Sequence, residues 1–335
     1  TAMGQFSQAI GFKSHAEGNF GSAIGLNAKS YQNGAVAFGA NALADGEYAY
    51  AVGNGAQALG YKNYAFGYGA VSSGYKSYAI GSQCSSSGEV SFAFGHATNA
   101  SGNSSMAFGR GSVAAGYHSI AIGVSNDGDP RTSSTGRKSI AIGSSTMAKA
   151  DNSYALGFWL VNNTDNSVVL GSFNDPEVPG TKLVVGNGTG DANRSNAMMV
   201  FDNGSVTIMG GLTEDSDARL KENLEELKGV SEKVILLNPV YYEFKNKSIY
   251  PEERQIGLLA QEVEPLFPEL VRINQKGMRS LNYNRLSVLL IQAFKEQSII
   301  IEEKEKRILE LEMDNADIRA RLDTIEALVT SLQNK

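Results

Sequence analysis

The chain has 335 residues, which is enough for two or more domains. Its formal net charge of −6 gives no support for a nucleic-acid partner, and no stretch approaches the roughly 18 consecutive apolar residues that a membrane-spanning helix needs. The single cysteine, Cys84, excludes an internal disulfide framework and is expected to be a small buried residue.

The charges are distributed unevenly. Residues 1–175 carry 18 charged side chains, whereas residues 216–335 carry 39 in a shorter segment. This difference predicts two structurally distinct parts. The chain also begins inside a repeat and without an initiator Met, so a fragment of a longer protein is expected.

An internal repeat occupies residues 1–171. Its unit is Ala, a large apolar residue and then Gly, and the glycines lie 14 residues apart from Gly11 to Gly123. The next interval is 20 residues, to Gly143, and the spacing of 14 returns at Gly157 and Gly171. A unit of 14 residues is too short for a helix pair and suits one coil of a solenoid made of two short strands and two turns.

A second glycine follows most of the first ones after seven residues, as at Gly18 and Gly46, with Gln32 as an exception. Glycine at each turn is expected to supply a positive φ without a Cβ clash. Within each strand large residues alternate with small ones, as in 48–52, so one face is expected to be buried by stacking of the coils.

These repeats resemble the head domains of YadA-like trimeric adhesins. The resemblance implies a left-handed parallel β-roll with three chains side by side. The apolar residue before each repeat glycine would then fill either the inside of the roll or the trimer axis, and the sequence leaves both alternatives open.

Polar residues 124–138 contain the extra six residues and are expected to form a surface loop. Asp127 and Asp129 lack the later carboxylate that an EF-hand loop needs, so no metal is expected. Trp159 is expected to cap the last coils rather than to hold a carbohydrate. Exposed tyrosines recur after repeat glycines, and packing between coils is favoured for them over sugar binding: Tyr61, Tyr75 and Tyr117.

Residues 172–212 form a predicted β connector. Two short β segments, 182–186 and 197–201, are followed by the turn 202–204 and by a third segment, 205–209, which together predict a hairpin. The connector resembles segments that precede the terminal domain in phage tail-fibre proteins.

The boundary between the two parts of the chain lies at residues 216–223. Locally, Ser216 is a good N-cap, Asp217 suits a first helical turn, and Gly229 suits a helix end. An uninterrupted helix would place Ser216 and Lys221 roughly 140° apart. Chemistry between them therefore requires Ser216 on an extended or turn segment, with Lys221 folding back.

The C-terminal part closely resembles the peptidase S74 family, the intramolecular chaperone domains of phage endosialidases, tail spikes and tail fibres, also found in a family of membrane-bound transcription factors. The resemblance covers about residues 213–300. It rests on the following segments, in this order: Ser216–Lys221 (Ser-Asp-Ala-Arg-Leu-Lys), 236–244, 254–271 and 280–286.

The resemblance implies a Ser–Lys dyad that acts once, in cis. Ser216 would be the nucleophile and Lys221 the general base, with its pKa lowered by burial and by neighbouring cations such as Arg219, and the Asp215–Ser216 bond would break. Candidate supporting residues are Asp217, Arg219 and Asn223. No cofactor is implied.

A long helix is predicted from about residue 284 to residue 332, with a heptad pattern over about 285–332. The a positions are Phe294, Ile301, Ile308, Asn315, Leu322 and Val329, and the d positions are Gln297, Lys304, Leu311, Ile318, Ile325 and Leu332. Asn315 at an a position is expected to fix the register and the number of strands.

The predicted fold class is therefore a mainly β N-terminal part, a trimeric left-handed parallel β-roll of 14-residue repeats, plus an α+β C-terminal chaperone domain ending in a long coiled-coil helix. The predicted domains are 1–171, 172–212 and 213–335. The expected function is that of a homotrimeric phage tail-fibre or receptor-binding protein whose C-terminal domain drives trimerisation and then autocleaves.

The expected partners are two further copies of the chain and a host cell-surface receptor, a glycan or outer-membrane component, with no nucleic acid and no membrane insertion. The expected location is the virion tail, after folding in the host cytoplasm. A trimeric bacterial surface adhesin and an uncleaved fibre with an inert chaperone cap are the alternatives. Polysaccharide cleavage is not expected, because the repeats show no paired carboxylates suited to it.

Overall fold

The computed structural model describes residues 1–125 and 128–333; Asp127, from the metal argument above, and residues 334–335 lie outside them. The chain divides into two compact units. The first consists of Thr1–Thr213 with Asn246–Pro251, and the second of Glu214–Lys245 with Glu252–Lys335.

The first unit contains the predicted β-solenoid. In the parallel part of its larger sheet, each strand pairs with the equivalent strand of the next coil. Ala9 lies opposite Ala23, and this register is kept across the insertion, where Ala121 lies opposite Ala141. The parallel strands of this sheet are Gln8–Ile10, Ser22–Ile24, Val36–Phe38, Tyr50–Val52, Tyr64–Phe66, Tyr78–Ser82, Phe92–His96, Met106–Arg110, Ile120–Val124, Ile140–Ser144, Tyr154–Phe158, Val168–Ser172 and Thr181–Asn187.

A second, smaller parallel sheet forms the other side of each coil from strands of two residues. These strands are His15–Ala16, Lys29–Ser30, Leu43–Ala44, Gln57–Ala58, Val71–Ser72, Ser85–Ser86, Asn99–Ala100, Val113–Ala114, Ser133–Ser134, Met147–Ala148 and Val161–Asn162.

The interior of the solenoid is narrow and is filled by small side chains. The alanines of the repeat motif, such as Ala37 and Ala93, are buried, and Cys84 is buried among them as expected. Serines that face one another complete this interior; the hydroxyls of Ser72 and Ser77 lie 2.7 Å apart. Small residues predominate in this interior, and Leu160 near the end of the solenoid is the largest fully buried side chain.

The apolar residue before each repeat glycine therefore lies outside the roll. Ile10 is 58% exposed and Phe38 53% exposed. The interior alternative is excluded, because alanine and serine occupy that space. The outer apolar column, as we call these residues, consists of Ile10, Ile24, Phe38, Val52, Phe66, Ile80, Phe94, Phe108, Ile122, Ile142, Leu156 and Leu170.

We call the glycines that follow the apolar residue of the motif the first column, and the glycines seven residues later the second column. The two columns require glycine for different physical reasons. Gly95 combines a φ of +133° with a tight approach, since a Cβ there would collide with the carbonyl oxygen of Gly109. Gly88 has no positive φ, and only its close approach to the Gly102 carbonyl excludes a side chain. The expectation that every turn glycine supplies a positive φ is therefore wrong for the second column.

The end of the solenoid continues beyond the last repeat glycine. Thr181–Asn187 pairs in parallel with Val168–Ser172, and the antiparallel strands Asn196–Phe201 and Val206–Ile208 then extend the same sheet as the predicted hairpin. Trp159 stacks on Phe173 with ring centroids 5.6 Å apart, which agrees with its predicted role as a cap on the last coils.

The second unit is a small α/β fold followed by a long helix. Its helices are α1 (Val230–Val234), α2 (Ala260–Val263) and α3 (Leu286–Gln333), and its 3-10 helices are Ala218–Leu220, Pro268–Leu270 and Tyr283–Arg285. Its two antiparallel strand pairs are Val240–Tyr242 with Gln255–Gly257, and Val271–Ile273 with Arg279–Leu281.

The core of this unit lies where α1 packs on the first turns of α3, and it also includes a residue of α2. It consists of Val230, Val263, Phe267, Leu270, Leu289 and Ala293. The heptad residues that follow on α3 are exposed, among them Ile308 and Ile318. Within the described residues, no helix has both the length and the apolar character that crossing a membrane requires.

Candidate active site

The backbone around Ser216 is not a continuous helix. Ser216 precedes an extended residue, Asp217, and a single 3-10 turn, Ala218–Leu220, after which Lys221 is extended again. Gly229, the predicted helix end, instead has a φ of +64° and is the N-cap of α1. The helix alternative for residues 217–229 is therefore wrong, because Asp217 caps only one short turn.

This local conformation brings together the two ends of the motif. A 3-10 turn rises only about 2 Å per residue, so a lysine side chain can reach back past it. The Lys221 Nζ donates a hydrogen bond of 2.7 Å to the Ser216 Oγ. The structure thus places the predicted nucleophile and the predicted base in contact, directly after Asp215.

The contact lies at a cleft of the second unit with a volume of about 830 Å³. Asp215 lines the cleft together with both members of the dyad and with the buried residues Phe267 and Leu289. The lining of the cleft is thus partly polar and partly apolar.

Asp217 and Arg219 form a local pair beside the dyad. The Asp217 carboxylate accepts from the Arg219 backbone N–H at 2.9 Å and from its guanidinium Nη2 at 2.6 Å. These hydrogen bonds lower the pKa of Asp217 and raise the pKa of Arg219. The pair stabilises the 3-10 turn that separates Ser216 from Lys221.

The expected burial of Lys221 is not found, and the cation named for it, Arg219, is paired elsewhere. Arg219 is engaged with Asp217, and the Lys221 side chain is exposed in the single chain. Asn223 is also exposed and has a φ of +54°. Neither residue is therefore desolvated by its own unit.

Sequence reasoning missed three basic residues of the cleft. Lys228, Lys233 and Arg285 line it with Asp215 and the dyad. Arg285 lies 64 positions after Lys221, and no local pattern indicated that the two would share a cavity. The described residues contain no group of three or more His, Cys, Asp or Glu side chains arranged to hold a metal ion.

Asn315, the predicted register residue, lies on the exposed part of α3, far along the helix from the core of the unit. The a and d residues around it form an apolar stripe without a partner in the described chain, including Ile308, Leu311, Ile318 and Leu322. A long helix with such a stripe requires partner helices to bury it.

Comparison with known proteins places two families on this architecture. The Peptidase_S74 model, described as the chaperone of endosialidase, matches residues 216–272, so its match begins at Ser216. The model of the YadA head domain repeat matches residues 2–28, 16–42, 31–56, 44–70, 86–112, 100–126 and 134–158. Both matches confirm the resemblances stated from the sequence. A search of curated proteins gave no match.

Proposed function

From YadA head repeats followed by a peptidase S74 chaperone segment, we propose that the chain forms a homotrimeric adhesive fibre of a phage tail, whose C-terminal unit directs trimerisation and then cleaves the Asp215–Ser216 bond. The observation that carries the proposal is the 2.7 Å contact between the Lys221 Nζ and the Ser216 Oγ, next to the bond to be cut.

The proposed reaction uses only groups of this chain and water. Neutral Lys221 takes the proton of the Ser216 hydroxyl, and the Oγ attacks the carbonyl carbon of Asp215. The bond from that carbon to the Ser216 nitrogen breaks, and the nitrogen receives the proton from Lys221. An ester joins the two residues until water hydrolyses it, which leaves a carboxylate on Asp215 and a free amine and hydroxyl on Ser216.

Two exposed apolar surfaces support a trimer. The first is the outer apolar column of the solenoid, which repeats in every coil. The second is the heptad stripe of α3. Each would be costly to leave in water along its whole length, and parallel association of identical chains buries both.

We place cleavage after trimerisation because Lys221 is exposed in the single chain. A neutral lysine is required as a base, and desolvation disfavours the charged form. Since Lys221 is exposed in the single chain, neighbouring chains are the proposed source of its desolvation. Cleavage would then follow trimerisation, and each chain would react once.

A chaperone suits this fold because the solenoid depends on registry among three chains. Coiled-coil formation by α3 would align the chains before the β coils close, and pairing between distant parts of a chain is intrinsically slow. We place the folding step in the host cytoplasm and the finished fibre in the virion tail, where it meets a cell-surface receptor.

The proposal is tested by intact mass and denaturing gel of freshly expressed protein, beside Ser216→Ala and Lys221→Ala. We expect two fragments from the parent, separated at the Asp215–Ser216 bond, and one full-length species from both variants. Lys228→Ala is the matched control: it removes a lysine from the same cleft that is paired with Glu226 and lies outside the dyad, so this chain should cleave.

A second candidate is an uncleaved fibre or bacterial surface adhesin in which the dyad is inert and α3 is only a trimerising cap. The exposure of Lys221 favours this candidate. A single full-length species from the parent and from all three variants would refute autocleavage and leave the uncleaved fibre as the better candidate.

A further inference from the structure

One turn of the solenoid carries a cluster of aromatic and basic side chains that the proposed cleavage does not use. The basic aromatic ridge, as we define it, consists of Tyr48, Tyr61, Lys62, Tyr75 and Lys76. These residues lie at the same turn of three successive coils, which are about 4.8 Å apart. Tyr48, Lys62 and Lys76 share one repeat position, and Tyr61 and Tyr75 share the position before it.

The rings of the ridge form a ladder. Tyr61 stacks on Tyr75 with ring centroids 5.4 Å apart and planes at 11°, and Tyr48 contacts Tyr61 edge to face at 6.3 Å. The expected packing between coils is therefore present. This packing leaves the edges of the rings exposed to solvent, and Tyr48 and Tyr75 are each 46% exposed.

The ammonium groups of the ridge lie over these rings. The Lys62 Nζ is 5.1 Å from the Tyr61 centroid, and the Lys76 Nζ is 4.9 Å from the Tyr75 centroid. Neither lysine forms an ion pair with any residue in 1–125 or 128–333. Two exposed cations are thus presented to solvent without a carboxylate of these residues within 4.0 Å, and the acidic residues Glu47 and Glu89 lie at the same turn in the two flanking coils.

The ridge is held rigidly by the backbone. The Lys62 N–H donates to the Glu47 carbonyl and the Lys76 N–H to the Tyr61 carbonyl, both at 2.9 Å. Both lysines have a φ of +52°. A rigid, preorganised surface loses little conformational freedom when a ligand binds.

A similar cluster recurs further along the same turn. Tyr117 stacks on His118 at 4.0 Å, Arg137 lies 6.0 Å from the Tyr117 centroid, and Lys138 follows. Three coils separate Tyr75 from Tyr117, which corresponds to about 14 Å. The two groups of cations therefore lie on the same turn of the solenoid rather than around a pocket, with two coils between them that carry no cation there.

We propose that the basic aromatic ridge binds a linear polysaccharide that carries carboxylates, such as a uronic-acid polymer. Ammonium groups pair with carboxylates, and tyrosine offers both a hydroxyl and an apolar ring edge to sugars. Lys62 and Lys76 lie in adjacent coils, and the coil spacing is comparable to the length of a sugar ring, so the two lysines can pair with carboxylates on neighbouring sugars. The proposal deepens the adhesive-fibre function and rests on it.

A stiff, hydroxyl-rich polymer fits this arrangement of cations better than a nucleic acid does. The formal net charge of −6 opposes general attraction of polyanions, so binding must depend on the local arrangement of the ridge. Three chains in a fibre would present three ridges, and their combined avidity raises retention on a polymer.

The test measures binding of the full chain to immobilised polygalacturonate, with a neutral linear galactan and a phosphomannan as comparison polymers. The test variant is K62Q/K76Q. The matched control is K13Q/K29Q, which removes the same charge from the same solenoid at positions away from the ridge, where Lys13 lies over Phe12.

We expect the parent to bind polygalacturonate and not the galactan, less tightly as salt rises. K62Q/K76Q should raise the apparent Kd at least about fivefold, whereas K13Q/K29Q should change it less than about twofold. Equal losses in the two variants, absence of binding by the parent, or preference for phosphomannan would each overturn the proposal.

The assembly state and the cleavage pattern are measured on the same samples. A cleaved trimer that does not bind polygalacturonate refutes the ligand and leaves the proposed function standing. A chain that neither assembles nor cleaves refutes the proposed function itself, whatever the polymer data show.

Discussion

The Glu296 carboxylate of α3 accepts a hydrogen bond of 2.7 Å from the backbone N–H of Ser231, in the first turn of α1. It also accepts one of 3.2 Å from the Val230 N–H. These bonds, with that to Ser231 as the main cause, lower the pKa of Glu296 to about 2. One side chain of the long helix thus caps the short helix at the cleft of the dyad.

We expect Glu296→Gln to lower the melting temperature of the C-terminal unit by a few degrees at neutral pH, because the amide replaces a charged cap by a neutral one. The helical circular dichroism signal reports this unit, since the solenoid is β structure. Glu302→Gln, at an exposed position of the same helix, is the control and should leave the melting temperature unchanged.

The pH dependence has a defined sign. A carboxyl group whose pKa falls on folding contributes stability that is complete above its ordinary pKa of 4.5 and is lost as the pH falls towards 2. The difference between the parent and Glu296→Gln should therefore shrink as the pH falls through this window. A difference that stays constant from pH 7 to pH 2.5 would contradict the assigned charge of Glu296.

We expect Gly95→Ala to destabilise the solenoid by about 2 kcal/mol or more, because the new Cβ would collide with the Gly109 carbonyl and the φ of +133° is strained for alanine. Gly69→Ala is the control. Its φ of +59° is also positive, but its Cβ would meet only the Gln83 Cγ, at 3.9 Å. Thermal unfolding followed by tyrosine fluorescence measures both, and equal losses would contradict the close-approach argument.

The sequence was sufficient to predict the solenoid because the repeat is local and regular. Each strand pairs with the strand 14 residues later, so the period alone sets the register. The direction of the large side chains was not predictable, since alternation shows that two faces differ and does not show which faces inward. That choice depends on the width of the roll, which admits Ala93 and excludes Phe94.

The residues of the candidate site were predictable from the sequence, but the distances between them were not. The resemblance identified Ser216 and Lys221, whose contact depends on one 3-10 turn that a helix propensity argument would have extended. The contact between Glu296 and Ser231 spans 65 residues. No local pattern encodes such a contact, because it forms only when α1 packs on α3.

The heptad stripe of α3 leads to the last prediction. Ile318 at a d position is exposed in the single chain, and an aspartate there would place three like charges in the core of a trimer. We expect Ile318→Asp to abolish the trimer. Ala316→Asp, which adds the same charge at an outward b position, should retain it. Light scattering measures the oligomeric state. Every chain in this comparison also carries Ser216→Ala, so that it stays uncleaved, near the parent mass of 35.7 kDa.

The same substitution in the cleaving background links assembly to chemistry. If the desolvation of Lys221 comes from neighbouring chains, Ile318→Asp should lower the cleaved fraction at least about tenfold, although it lies far from the dyad along α3. Ala316→Asp should cleave like the parent. A monomeric Ile318→Asp chain that cleaves as fast as the parent would show that Ser216 and Lys221 need no neighbour, because the exposed amine would then already be a competent base.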